Sequence, residues 1–160
     1  MYQKILAPLD GSELSECSLE HVKAIATGCK TSEVALIIVL EEQLPIFEYS
    51  SAQMVKEISE QREKEQKEVQ KSAEDYLAKV AGGLGIEGIA VKTAVRFSLE
   101  GGVADEILDY VQNNKIDMII MSTHGRSGIS RWAFGSVTDK VVSHAKVPVL
   151  TVTAAGCRVQ

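Results

Sequence analysis

Apolar segments of strand length alternate with longer segments of helical period along this chain of 160 residues. Such alternation is typical of βαβ units, which place parallel strands in one sheet and helices on both of its faces. The pattern therefore predicts an α/β fold built on an open five-stranded parallel sheet. The predicted strands lie near residues 2–8, 34–40, 88–95, 116–121 and 147–153, and the predicted helices near 12–28, 50–81, 103–113 and 136–145.

Length and composition narrow the class of protein. A chain of this size is predicted to form a single domain, residues 1–160, around one core. No apolar run reaches the ~18 residues that a membrane span requires, and the first residues show no signal-peptide pattern. The formal net charge of −5, with no basic stripe, argues against nucleic-acid binding. Cys17, Cys29 and Cys157 lack the spacing of a metal site or a disulfide framework. We therefore expect a cytoplasmic protein with neither membrane nor nucleic-acid partners.

A loop of small and basic residues follows the fourth predicted strand and leads into the last predicted helix. Small residues let backbone N–H groups approach an anion closely, and a helix N-terminus adds unpaired donors and the positive end of a dipole. The sequence therefore predicts a phosphate-binding site, although a glycine-rich loop can also enter a helix without binding a ligand. The residues assigned to this site are Met121, Ser122, His124, Gly125, Arg126, Ser127, Gly128, Gly135, Ser136 and Val137.

Other chemistries find little support in the sequence. His124 has no partner nucleophile at a defined spacing, so we assign no catalytic residue. No P-loop motif is present, and the glycines of 82–88 follow a helix rather than a strand, which indicates a turn. The loop has no lysine, and no paired carboxylates accompany it, so fast phosphoryl transfer lacks its usual groups.

Asp10 follows the first predicted strand and stands two residues before Ser12, the predicted N-cap of the first helix. One interpretation is that Asp10 only shapes the turn. The other is that its carboxylate accepts a hydrogen bond from a nucleotide ribose or helps to hold a metal at the phosphates. In open α/β sheets, ligands bind beyond the carboxyl ends of the strands, where this residue is expected.

The loop resembles the nucleotide loop of the universal stress protein family, whose ATP-binding members show Gly-x2-Gly-x9-Gly-(Ser/Thr). Gly125 and the pair Gly135-Ser136 match the second and third glycine positions, and Ser122 stands at the first. If that position needs a positive φ, Ser122 would be strained. The resemblance covers nearly the whole chain, including residues 2–12, 34–42, 102–107, 117–125 and 147–152.

This resemblance implies a Rossmann-like fold of the adenine nucleotide alpha hydrolase type, with strand order 3-2-1-4-5. It further implies that ATP, with Mg²⁺, binds where strands 1 and 4 diverge. Pro8 and Asp10 would lie at the nucleotide, with Asp10 at the ribose, and the backbone of Val39 would bind adenine. The family role is that of an ATP-dependent stress-response regulator or interaction module with protein partners. Two alternatives stay open: slow ATP hydrolysis or autophosphorylation, with Ser136 or a neighbouring hydroxyl as the acceptor, and a member that works by protein contacts without nucleotide.

The last predicted strand carries Pro148, which suits an edge strand. An exposed apolar edge is prone to pair with another chain unless it is covered. The resemblance implies a homodimer through this strand, and the alternative is an unpaired, blunted edge. The residues expected at the dimer interface are Val147, Val149, Leu150, Thr151 and Val152.

Overall fold

The five strands form one parallel sheet in the order β3-β2-β1-β4-β5, which confirms the predicted architecture and strand order. The computed structural model describes residues 2–42, 52–98, 102–123 and 135–153. In chain order the elements are strand β1 (Lys4–Leu9), helices α1 (Glu13–Glu16) and α2 (Ser18–Cys29), strand β2 (Glu33–Glu41), helix α3 (Ala52–Gly83), strand β3 (Ala90–Ser98), helix α4 (Val103–Asn114), strand β4 (Met118–Ser122), helix α5 (Ser136–His144) and strand β5 (Val149–Val152).

Successive residues of the central strands pack into two cores on opposite faces of the sheet. In β1, Ile5 and Ala7 belong to the first core, which α2 and α3 cover, and Leu6 belongs to the second. Residues of α4 and α5 complete that second core. Side chains alternate between the faces of a strand, so a strand that is buried on both faces is apolar throughout. This explains the continuous apolar runs of the central strands.

The predicted first helix, residues 12–28, is divided into α1 and α2, with Cys17 between them. The Ser15 hydroxyl donates to the carbonyl oxygen of Ser12 at 2.8 Å, and the Ser18 hydroxyl donates to that of Ser15 at 2.7 Å. Hydroxyl groups that bond to backbone carbonyls compete with the helical ladder.

The ends of α2 and α4 use lysine where glycine is the usual residue. Gly28, of the residue type that most often follows a helix end, lies inside α2, and Lys30 takes the left-handed conformation with φ 54°. Lys115 has the same φ after α4. The next residue in each case bonds back across the turn, as Ile116 N–H does to the carbonyl oxygen of Val111 at 3.0 Å. The backbone hydrogen bonds of these turns satisfy the last carbonyl groups of each helix. They offset the ~1–2 kcal/mol that the left-handed conformation costs a residue other than glycine.

Helix α3 is longer than the strands of the sheet against which it packs. Its 32 residues span about 48 Å, whereas a strand of 9 residues spans about 30 Å. Ala73 and Leu77 in its carboxyl half are buried in the first core. Met54, 56% exposed, and Val69, 52% exposed, lie outside that core. No helix among the described residues is both long enough and apolar enough to cross a membrane.

Candidate nucleotide site

A cavity of about 380 Å³ lies at the carboxyl edge of the sheet, against the ends of β1, β2 and β4. The neighbours of β1 in the sheet are β2 on one side and β4 on the other, so strand order reverses at this point. Ligands of open α/β sheets bind in the crevice outside such a switch point. The cavity is lined by Pro8, Leu9, Asp10, Ser15, Val39, Glu41, Val103, Ile107, Met121, Ser122, Gly135, Ser136, Val137 and Thr138.

The loop after β1 is a hydrogen-bonded turn built around Asp10. Its Oδ1 accepts from the backbone N–H of Ser12 at 3.0 Å and from the Ser12 hydroxyl at 2.6 Å. Gly11, with φ +81°, permits the tight reversal that brings these groups together. Ser12 is the N-cap of α1, as predicted, because its Oγ accepts from the N–H of Ser15 at 3.1 Å. The backbone N–H of Asp10 in turn donates to Ser15 Oγ at 3.3 Å. Asp10 therefore shapes the turn and is held at the cavity wall by it.

The opposite wall forms where β4 ends and α5 begins. The hydroxyl of Thr138 donates to the carbonyl oxygen of Ser122 at 3.0 Å, and the N–H of Gly135 donates to the carbonyl oxygen of Thr123 at 2.8 Å. Ser122 is the last residue of β4 and is 7% exposed. Its φ is not positive, since Lys30 and Lys115 are the non-glycine residues with positive φ in the described part of the chain. The condition under which Ser122 would be strained, a positive φ, is therefore not met.

Charge at the cavity comes from two sources among the described residues. The lining side chains include the carboxylates of Asp10 and Glu41, and none of the described ones is basic. Gly135 is the N-cap of α5 and offers no side chain to the first helical N–H groups. Those groups carry the partial positive charge of the helix dipole, so they are the part of the described wall that attracts an anion. Within the described ranges, no group of three or more His, Cys, Asp or Glu residues is placed to hold a metal ion.

On each face of the sheet, one side-chain contact joins two of the helices near the cavity. The hydroxyl of Tyr76 in α3 donates to Oε1 of Glu16 in α1 at 2.9 Å. Burial, followed by this bond and the charge of Glu16, raises the pKa of Tyr76 above its usual range. On the other face, Lys140 Nζ of α5 lies 2.7 Å from Asp105 Oδ2 of α4. The helices on each side of the cavity are thus connected by polar contacts.

The cavity brings together many of the residues that the sequence assigned to nucleotide binding. These are Pro8, Asp10, Val39, Met121, Ser122, Gly135, Ser136 and Val137. The remaining assigned residues lie outside the described part of the chain and are His124, Gly125, Arg126, Ser127 and Gly128.

Six residues line the cavity that the sequence pattern did not predict to be there. Val103 and Ile107 stand one helical turn apart at the start of α4, so helical period alone could have placed them on one face. Thr138 lies two residues after Ser136 in the first turn of α5. The residues that the sequence reasoning missed are Leu9, Ser15, Glu41, Val103, Ile107 and Thr138.

Strand β5 lies at the edge of the sheet, beside β4. Val149, Leu150 and Thr151 are partly exposed. Val152 is only 4% exposed and belongs to the first core, so its side chain is already engaged within the chain. Val147 packs against the second core.

Comparison with solved structures and curated proteins gives relatives that match along most of their length. The chain is 32% identical over 158 residues to universal stress protein MJ0577 of Methanocaldococcus jannaschii, covering 95% of each chain. A solved structure of MJ0577 superposes with a TM-score of 0.78 at 30% identity, covering 96% of each chain. Two more distant solved structures hold nucleotides. One is a universal stress protein in complex with cAMP, at 21% identity and TM-score 0.57, covering 95% of this chain and 97% of the other. The other is an Arabidopsis thaliana family member with AMP bound, at 17% identity and TM-score 0.56, covering 94% and 91%.

The family model described as the universal stress protein family matches residues 1–153. That match covers nearly the whole chain and agrees with the fold and strand order described above. The chain therefore belongs to the universal stress protein family.

Proposed function

We propose that this protein binds ATP, with Mg²⁺, in the cavity at the carboxyl edge of the sheet. In this proposal it is a cytoplasmic, nucleotide-dependent regulator or interaction module of the stress response. The observation that carries the proposal is that the cavity joins the acidic turn after β1 to the uncapped N-terminus of α5 at the point where strand order reverses. Such an edge is where α/β sheets bind nucleotides.

The sheet order suggests how the parts of a nucleotide would be distributed. Apolar side chains of β2 and α4, from Val39, Val103 and Ile107, offer a surface for the base. The turn of Asp10 after β1 lies next along the sheet and would meet the ribose. The first turn of α5, after β4, would then receive the phosphates through its backbone N–H groups.

The chemistry of the lining residues suits such a ligand. A volume of about 380 Å³ falls in the ~300–1,000 Å³ range of small-molecule sites, which combine apolar walls with a few polar groups. Asp10 and Glu41 would repel bare phosphates, so a divalent cation bound with the nucleotide fits better than free ATP. The bound cation would neutralise phosphate charge. Arg126, which the sequence assigned to this site, is the natural further source of positive charge.

Relatives support the class of ligand. One solved family structure holds cAMP and another holds AMP. We extend from adenine nucleotides in general to ATP because of the loop pattern that ends in Gly135-Ser136. Regulation would follow if a partner-binding state and a free state of this protein differ in their affinity for ATP.

The decisive experiment is calorimetric titration of nucleotide-stripped protein with Mg-ATP. We expect saturable binding near one ATP per chain in the wild type, and loss of binding in Gly135→Arg, whose side chain would occupy the cavity. The matched control is Gly28→Arg, which makes the same chemical change on an exposed part of α2 with no atom within 4 Å of the new Cβ. Titrations with ADP, AMP and cAMP would rank the nucleotides. Absence of saturable binding by folded wild-type protein would refute the proposal, and so would equal binding by Gly135→Arg.

We also propose a homodimer through the edge strand β5. Its partly exposed residues Val149 and Thr151 leave a strand edge that a second copy could extend. Light scattering should give twice the mass of one chain, and Thr151→Lys should shift the mass toward one chain by placing a charge on that edge. A wild-type mass of one chain at micromolar concentration would refute this part of the proposal without touching the nucleotide site.

A further inference from the structure

We propose that Tyr76 is a positioning residue for the nucleotide site. Through Glu16 it holds the turn of Asp10 in the orientation that meets the ribose of a bound nucleotide. This inference rests on the proposed function and assigns a role to a residue of α3, which the motif and the cavity lining do not include.

The turn of Asp10 is carried by an element that has little stability of its own. Helix α1 is a single turn of four residues, and helices this short do not persist without tertiary contacts. Its N-cap, Ser12, and its third residue, Ser15, both bond to Asp10. Its last residue, Glu16, accepts from Tyr76 at 2.9 Å. The two ends of α1 thus connect the cavity wall to α3.

Tyr76 is well placed to act as a fixed anchor. Its ring packs against the first core, next to Ala73 and Leu77, which are buried in α3. The hydroxyl reaches out of that core to the carboxylate of Glu16. The ring is partly buried, so some side-chain freedom is lost before the bond forms, and a hydrogen bond to a charged acceptor is of the stronger kind.

The electrostatic environment of the phenol supports the same connection. Burial is the main cause that raises the pKa of Tyr76, and Glu16 is the second. The nearby hydroxyl of Ser15 lowers the pKa of Tyr76, and the charge of Asp10 raises it. The pKa of Tyr76 therefore depends on Asp10, Ser15 and Glu16, and the first two of these line the cavity.

The test compares two nucleotides on the substitution Tyr76→Phe. ATP carries ribose hydroxyls, whereas 2′,3′-dideoxy-ATP lacks them. If Tyr76 orients Asp10 toward the ribose, Tyr76→Phe should weaken Mg-ATP binding about three- to tenfold, as expected for loss of one charge-assisted hydrogen bond. Binding of the dideoxy analogue should change by less than about twofold, since the affected contact is absent from it.

Further variants identify the route. Glu16→Ala should reproduce the loss, and the double variant Tyr76→Phe with Glu16→Ala should be no weaker than either single one, because both remove the same link. Glu16→Gln keeps an acceptor for the phenol and should restore part of the affinity. Tyr110→Phe is the matched control, since Tyr110 is a partly buried tyrosine of α4 whose pKa is raised by burial and then by Glu33, with no contribution from the turn of Asp10.

Several outcomes would overturn the inference. Equal weakening of ATP and the dideoxy analogue would indicate general loosening of the site, and unchanged ATP affinity in Tyr76→Phe would show that the link is not used. An equal loss in Tyr110→Phe would also contradict it. If the wild type and Tyr76→Phe bind ATP equally tightly, the role of Tyr76 is refuted and the proposed ATP binding stands. If the wild type binds no nucleotide, the proposed function fails and this inference fails with it.

Discussion

The hydrogen bond from Thr138 to the carbonyl oxygen of Ser122 joins the first turn of α5 to the end of β4. Both residues are buried, with Thr138 only 3% exposed. Thr138→Val preserves the shape of the side chain and removes the donor. The carbonyl then loses a partner between two buried residues of the cavity wall, and an unsatisfied buried group costs about 1–3 kcal/mol. We therefore expect Thr138→Val to lower the free energy of unfolding by roughly 2 kcal/mol.

Urea unfolding measures this effect directly. For a slope of about 2 kcal/mol per molar urea, a loss of about 2 kcal/mol moves the midpoint down by about 1 M. In a thermal scan, the same loss corresponds to about 4–8 °C for a chain of this size. Thr93→Val is the matched control on the exposed strand β3, where the same change should stay within about 0.5 kcal/mol.

Thr138→Ser separates the hydroxyl from the methyl group. It keeps the donor and loses one buried carbon, which should cost about 0.8 kcal/mol. The reasoning would be refuted if Thr138→Val were as stable as the wild type, or if Thr138→Ser were the less stable of the two. Either result would mean that packing of the methyl group, rather than the bond to Ser122, holds α5 against β4.

Three further predictions follow from single residues. Ser122→Gly should lower the free energy of unfolding by about 0.5–1 kcal/mol and should not increase ATP affinity, because Ser122 is an unstrained strand residue. A variant that binds ATP more tightly and is more stable in urea would restore the strain hypothesis. Gly11→Ala should cost about 1–2 kcal/mol because φ is +81°, whereas Gly28→Ala, inside α2, should stabilise by up to about 1 kcal/mol; urea midpoints that move in the same direction would contradict this. Tyr76→Phe should reduce the loss of stability at alkaline pH. The raised pKa of Tyr76 in the folded state contributes stability below the unfolded value of about 10, and that contribution is lost as the pH rises above it. Unfolding midpoints that fall equally in both proteins from pH 8 to 11 would contradict the raised pKa.

The architecture could be predicted because its signals are local and repeated. Strands buried on both faces must be apolar along their length, and helices must present an apolar stripe every 3.6 residues. In β2, Leu36 and Ile37 point into different cores, and both had to be hydrophobic. Strand order itself needed the family resemblance, since these patterns do not say which strands are neighbours.

The site could be predicted only where its residues stand in a recognisable loop. Ser15 is a buried serine on what looks like an ordinary helix face, and its role depends on the backbone of Asp10 across the turn. Thr138 bonds to a residue 16 positions away. The left-handed Lys30 escaped prediction for a different reason, because a glycine two residues earlier matched the expected signal for a helix end. For Ser15 and Thr138, the deciding contact is one that residue type and local spacing do not encode.

Asp10 shows why the structural and functional interpretations of one residue need not compete. Its Oδ1 is committed to Ser12, so the carboxylate is needed for the turn whether or not a nucleotide binds. The same two bonds fix the direction of the carboxylate at the cavity wall before any ligand arrives, and fixing a polar group in advance removes an entropic cost from binding. Asp10→Asn would keep an acceptor for Ser12 and remove the charge, whereas Asp10→Ala would remove both. If the turn alone matters, Asp10→Asn should bind Mg-ATP like the wild type and only Asp10→Ala should fail. If the charge also acts on the ribose or the cation, Asp10→Asn should lose affinity while its urea midpoint stays close to that of the wild type.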